Sequence, residues 1–263
     1  MKLKLIALAA MLAAGSANAA ILDGSSTSIG NGELFMTVLD SVGEQSYILD
    51  LNITMNDFLA GIAVSGASYS FAADANMTTF LSQVAPADQS GLVFAIGAMD
   101  ASGATTTDFH RYITTASSID ANTDTNFDLK DLGTNGAILV GDANTYIGVG
   151  NSAIITDTAA FGYAGSGLWG DNWGTKFNGV STGLIGNDLD MYLLSQTSGT
   201  FATRNNASVY AALEQGGSQV FANLDVNGNL TIATAVPEAE TYAMMLAGLG
   251  LVGFMAARRR SMI

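Results

Sequence analysis

The chain has 263 residues, no cysteine, and 23 acidic against nine basic residues, a formal charge of −14. Without cysteine no disulfide can staple the fold, and with nine basic against 23 acidic residues the chain is poorly suited to a phosphate backbone, so nucleic acid is not expected as a partner. Nearly half of the residues are apolar and the mean hydropathy is +0.32, enough for a core built by packing alone.

Residues 1–19 carry Lys2 and Lys4, an apolar run over 5–14, and small residues at Ala17 and Ala19. That order is a cleavable secretory signal, cut by signal peptidase between Ala19 and Ala20 because its pocket admits only small side chains. The chain is therefore expected to leave the cytoplasm. In the body, residues 20–235, Arg111, Lys130, Lys176 and Arg204 face 21 acidic residues, a charge of −17. Anionic lipid would repel such a surface, whereas cations, neutral polysaccharide or a basic protein patch would not.

Apolar–polar alternation predicts strands over 33–40, 46–53, 67–72, 92–100, 109–115, 189–196 and 218–225. Clusters of Gly, Asn, Asp and Ser separate them, as strand ends require. Asn227-Gly228 lies between two alternating runs, which predicts a hairpin. Helix-forming Glu is scarce, five in all, and short helices are predicted only near 77–84 and 207–214. No internal repeat, linker or second domain is visible. The expectation is a mainly β chain folded as a single β-sandwich, with a jelly roll as one arrangement of it. A signal peptide and one C-terminal transmembrane helix would flank that body.

Three features of the body are candidates for chemistry. His110, the single histidine, alternates with Phe109 and Arg111, which places it on the polar face of a strand. A Ser-His-Asp triad would have to use it, and the nearest nucleophile-elbow pattern, Gly66 to Ser70, lacks its final glycine. One histidine without cysteine leaves no zinc set, whereas a two-carboxylate glycosidase needs only acids. Next come Asp120, Asn122, Asp124, Asn126 and Asp128 at positions 1, 3, 5, 7 and 9 of a run closed by Asp131. This is the spacing of an EF-hand or dockerin-type calcium loop, and a hard cation takes six to eight such oxygens. Thr125 stands where the sharp turn takes glycine, so a solvated polar loop competes with Ca²⁺. Lastly, residues 161–179 hold both tryptophans, Trp169 and Trp173. Exposed, they would make a platform for sugar rings; buried, they plug one end of the fold, which is the commoner role of large aromatics.

The tail differs from everything before it. Residues 241–257 carry no charge and Arg258, Arg259 and Arg260 follow at once. Seventeen residues are at the lower edge of what spans a bilayer, and the arginines stay on its cytoplasmic side, which puts the body outside. Leu246, Leu249, Leu251, Val252 and Phe254 each favour insertion by only about 0.3 to 0.6 kcal/mol, so the span suits temporary retention. Gly248 to Gly253 reads G-x-G-x-x-G, but no strand precedes it and no acidic residue follows; small residues here serve helix packing.

Val236, Pro237 and Glu238, the apolar run and the three arginines stand in the order of the PEP-CTERM sorting signal of Gram-negative bacteria, which this tail resembles. Ala239 occupies the place of the second proline. The resemblance implies an exosortase in the inner membrane that cleaves near Pro237 and releases or re-anchors the protein. It also implies a body held in the periplasm and then at the cell surface or outside, with a link to exopolysaccharide and biofilm. On this reading the protein is a non-enzymatic envelope or matrix component. A secreted glycan hydrolase or a calcium-dependent carbohydrate-binding protein is the alternative.

Overall fold

The computed structural model describes residues 20–25, 30–64, 66–100, 110–117, 125–166, 181–197, 206 and 209–234, with backbone alone for 127, 128, 130–132 and 210. Strands β1 (Glu33–Asp40) and β2 (Gln45–Thr54) form the first hairpin. Its turn is built by the Asp40 carboxylate, which accepts from the N–H groups of Val42 and Gly43 and from Gln45 Nε2. Helix α1 (Met55–Ile62) starts at once because Thr54 caps it: Asp57 N–H donates to Thr54 Oγ1, which donates in turn to the Asp57 carboxylate. β3 (Tyr69–Phe71) and α2 (Ala75–Gln83) follow, the latter capped by Asp74 through a 2.7 Å bond from Met77 N–H. This helix lies within two residues of the predicted 77–84.

β4 (Val93–Met99), β5 (Arg111–Ala116), α3 (Asn126–Ile147) and β6 (Ser152–Ile155) come next. Then run β7 (Gly183–Leu184), β8 (Asp188–Ser195), β9 (Val209–Ala212), β10 (Glu214–Gln215), β11 (Ser218–Leu224) and β12 (Leu230–Thr234). The predicted hairpin joins β11 to β12 with Leu224 opposite Leu230. Its loop is stitched by Asp225 and ends in Gly228 at φ 85°, where a left-handed residue is needed.

The strands form one antiparallel sheet in the order β3-β12-β11-β8-β5-β4-β1-β2-β6, so the expected sandwich of two packed sheets is corrected to a single curled sheet, a half-barrel. The closure is helical. Helix α2 leaves β3 at one edge of the sheet and packs on β6 and β2 at the other. Asn76 Nδ2 donates to the carbonyl and hydroxyl of Ser152, and Ser152 Oγ donates to Asp74. Phe80 meets Tyr47 inside the curl, 6.2 Å between ring centres. A second sheet is unnecessary because α1 and α2 bury the apolar inner face around Leu34, Met36, Phe58, Phe80, Ile96 and Met191.

The outer face has its own core. Leu139, Val140, Ala143 and Ile147 of α3 cover Phe35, Ile48, Ala95 and Tyr112. This 22-residue helix is absent from the sequence expectations because Gly133, Gly136 and Gly141 interrupt its pattern. Gly136 is there for contact: a Cβ would sit 2.2 Å from Met99 Sδ. The helix expected at 207–214 is corrected to β9 and β10, since Val209–Ala212 pairs with β8 and Glu214–Gln215 with β11. Ladder bonds outweigh the helix propensity of its alanines. Among the described residues no helix is long and apolar enough to cross a membrane, and the run 241–257 lies outside them.

Candidate functional site

The last strand delivers the chain to its tail. Thr234 stands opposite Val220 in the β11–β12 ladder, and its hydroxyl lies 3.3 Å from Gln215 Oε1. Gln215 is 7% exposed; its Nε2 donates to the carbonyls of Ile62 and Val64, and its Oε1 accepts from Gly66 N–H. One buried side chain thus ties the loop after α1 to β10 and to the end of β12. The sheet holds the chain to Thr234, two residues before Val236. Val236, Pro237, Glu238, Arg258, Arg259 and Arg260 lie outside the described residues.

The other residues singled out by the sequence scatter. Trp169 and Trp173 lie outside the described residues, as do Asp120, Asn122 and Asp124. Asn126 opens α3 and is 2% exposed; its Oδ1 accepts from Thr197 N–H at 2.9 Å, its Nδ2 donates to Thr197 Oγ1, and its carbonyl accepts from Gln196 Nε2. Asp128 and Asp131 belong to the backbone of α3, so the second half of the calcium-spaced run is helical.

His110 is 5% exposed and precedes β5, which corrects its expected place on a polar strand face. Its Nδ1 lies 2.9 Å from the Asp100 carbonyl. A carbonyl only accepts, so Nδ1 carries the proton. Its backbone N–H donates to Gln196 Oε1. Ser70 is on β3, four strands from β5 in the sheet order, so the Gly66–Ser70 pattern and His110 do not make a triad.

A pair of acids emerges that sequence reading passed over. Asp50, opposite Phe35 on β2, is 2% exposed. Its Oδ1 accepts from Asn52 N–H at 2.8 Å, while Oδ2 finds no hydrogen-bond partner among the described residues. Burial pushes its carboxyl up to about 7, against the Asn52 N–H and with help from the Glu33 charge. Glu33 follows the same logic: burial raises it, and the bond from Leu22 N–H opposes. The ladder slips between Glu33 and Phe35, and Asn52 has φ 52°, so this corner of the hairpin is irregular. A two-carboxylate hydrolase needs acids that meet substrate, and Asp50 is sealed. The signal available in the sequence was Asp50 amid the apolar residues of its strand.

Open surface lies at the other end of the sheet, beyond the start of β12. A groove of about 360 Å³ is lined by Ser117, Asn187, Asp188 and Asp190. Asn223 Nδ2 donates to Asp188 at 2.7 Å and orients it. Across the turn after β7, a second groove of about 390 Å³ is lined by Leu81, Pro86, Ile185 and Val226 with Gln89. Among the described residues no cluster of three metal-binding side chains occurs.

Comparison with known proteins finds one similarity. Residues 235–260 match the PEP-CTERM protein-sorting motif. No curated relative and no solved structure matches the chain.

Proposed function

The chain carries the sorting motif of exosortase substrates, which makes it an exported protein held transiently at the membrane through its C-terminus, and from that premise we propose that it works as a non-enzymatic component of the cell envelope or extracellular matrix. The observation that carries this reading is the junction at Thr234. The motif begins one residue after the sheet ends, so a cut near Pro237 leaves all of β12 with the body. The product of processing is then a complete fold rather than a fragment. Signal peptidase acts at the other end, between Ala19 and Ala20, and Ile21 begins the packed structure at 3% exposure.

Exopolysaccharide is the proposed contact of the released body, in keeping with its charge: a surface at −17 accepts neutral hydroxyl-rich chains and repels anionic ones. The grooves at the end away from Thr234 stay open while the tail is held, and Trp169 and Trp173 are the proposed aromatic platform. Calcium belongs to this proposal through Asp120, Asn122, Asp124, Asn126, Asp128 and Asp131. It requires that excess Ca²⁺ raise the melting temperature by several degrees over chelator.

The deciding experiment is mass spectrometry of the protein purified from its host with and without an active exosortase. A mature chain starting at Ala20 and ending near Pro237, found outside the inner membrane only when exosortase is active, is the expected result. An intact C-terminus through Ile263 in the exported protein overturns the reading.

A further inference from the structure

Among the described residues the exposed aromatics are Tyr146 at 39% and Phe161 at 55%, and both belong to one region of the surface. Ile138, Asp142 and Tyr146 follow at four-residue intervals along α3 and so share a face of the helix. Ile138 is also exposed. Residues 156–166 lie against that face. Gly162 rests on Ala143, where a Cβ would meet the helix backbone at 2.8 Å, and its N–H donates to Asp142 Oδ2 at 2.8 Å. Phe161 therefore stands beside the row that ends in Tyr146. Partial burial, then the Asp157 and Asp142 charges, raise the Tyr146 hydroxyl, so both carboxylates lie near that ring.

The loop that presents Phe161 is locked. Asp157 Oδ1 accepts from Ala159 N–H, and its carbonyl from Ala160 N–H. The Ala160 carbonyl accepts from Tyr163 N–H, the Tyr163 carbonyl from Ser166 N–H, and Ser46 Oγ from Ala164 N–H. Ala160, Tyr163 and Ala164 are buried, while the residue between them is held out in water. A single exposed apolar side chain is ordinary, whereas two aromatics and Ile138 in one patch mark a contact surface. A loop already fixed has little further order to lose when a ligand arrives.

We propose that Tyr146 and Phe161 form a stacking surface for a neutral polysaccharide, whose hydroxyls donate to the Asp142 and Asp157 carboxylates. This rests on the envelope or matrix role above and assigns its glycan contact to the patch on α3. The ligand class follows from the mixture of groups. A pyranose ring offers C–H groups to an aromatic face and hydroxyl donors around its rim, and a hydroxyl–carboxylate bond is charge-assisted. Asp142 keeps lone pairs beyond the one that Gly162 takes. An anionic lipid or acidic glycan meets both carboxylates on a body at −17 and is repelled. An apolar protein partner would strip water from the two acids without pairing them.

The test is retention of the protein purified from its host on immobilised dextran, galactomannan and cellulose, with polygalacturonate and polylysine as charged comparisons. Retention by at least one neutral glycan is expected, unchanged between about 50 and 500 mM salt. Phe161→Ala is expected to weaken it at least about tenfold and Tyr146→Ala about fivefold, with Tyr146→Phe close to wild type. Both positions are exposed, so the melting temperature should move by no more than about 2 °C. Val226→Ala, in the apolar groove after β11, should leave retention unchanged. Loss in Val226→Ala with full retention in Phe161→Ala moves the contact to that groove and overturns the proposal, while the envelope or matrix role stands. Retention on polylysine alone, abolished by salt, overturns it in favour of a basic partner. Failure on every neutral glycan overturns both the patch and the polysaccharide contact, and processing by exosortase is then judged separately by mass spectrometry.

Discussion

The two halves of the sheet obey different rules. In β1, six of eight residues are buried, because α1 and α2 cover one face and α3 the other. In β11, three of seven are buried and they alternate strictly, because its outer face meets water. A strand with one wet face displays its orientation in its sequence; a strand covered twice hides it, and any polar group on it becomes a buried one. Asp50 is that case. On β11 it would be solvated and ordinary, whereas on β2 it is buried, with one carboxylate oxygen that finds no hydrogen bond among the described residues.

Truncation contrasts the halves most sharply. Phe35→Ala, at 0% exposure beneath α3, is expected to cost about 3–5 kcal/mol in denaturant unfolding. Thr231→Ala on the open side of β12 should stay within about 0.5 kcal/mol. Comparable losses at both sites would mean that α3 does not seal the outer face.

Acid–base linkage comes second. The folded-state carboxyl of Asp50 is raised to about 7, above its unfolded value, so its contribution is fully present at low pH and lost as pH climbs through that range. Unfolding free energy should drop by something on the order of 3 kcal/mol between pH 4 and 7, most of it abolished in Asp50→Asn. A stability curve that rises over this interval in the wild type would contradict the burial of this acid.

A smaller effect probes the contact that brings α3 so close. Gly136→Ala places a methyl against Met99 Sδ. Met99 is itself buried at 1% exposure, so the repacking should cost about 1–3 kcal/mol. A neutral or stabilising result, read by thermal melting, would show that helix and sheet have room to part.

Legibility followed the same division. The alternating runs placed β1, β2, β4, β8 and β11 within a residue or two, and Asn227-Gly228 placed the last hairpin, because backbone pleating and turn chemistry are local. α3 was invisible: its glycines look like loop residues until Met99 is seen filling the space above Gly136. The calcium spacing over 120–131 read as loop for the same reason, although α3 begins at Asn126. His110 was assigned to a polar face by alternation alone, while Asp100 and Gln196, far apart in sequence, bury it. Asp50 went unnoticed because no local pattern says which strand will be covered on both faces.

By itself the sequence determined the tail and the strands: a sorting motif after Thr234 and the period-two runs before it. Each depends on residues within a few positions of one another. The tertiary structure alone decided that one sheet curls and is closed by α2, that α3 roofs its outer face, and that Asp50 is buried on β2. Those outcomes depend on the free energy of covering apolar surface, which is settled between segments that meet only when the chain folds.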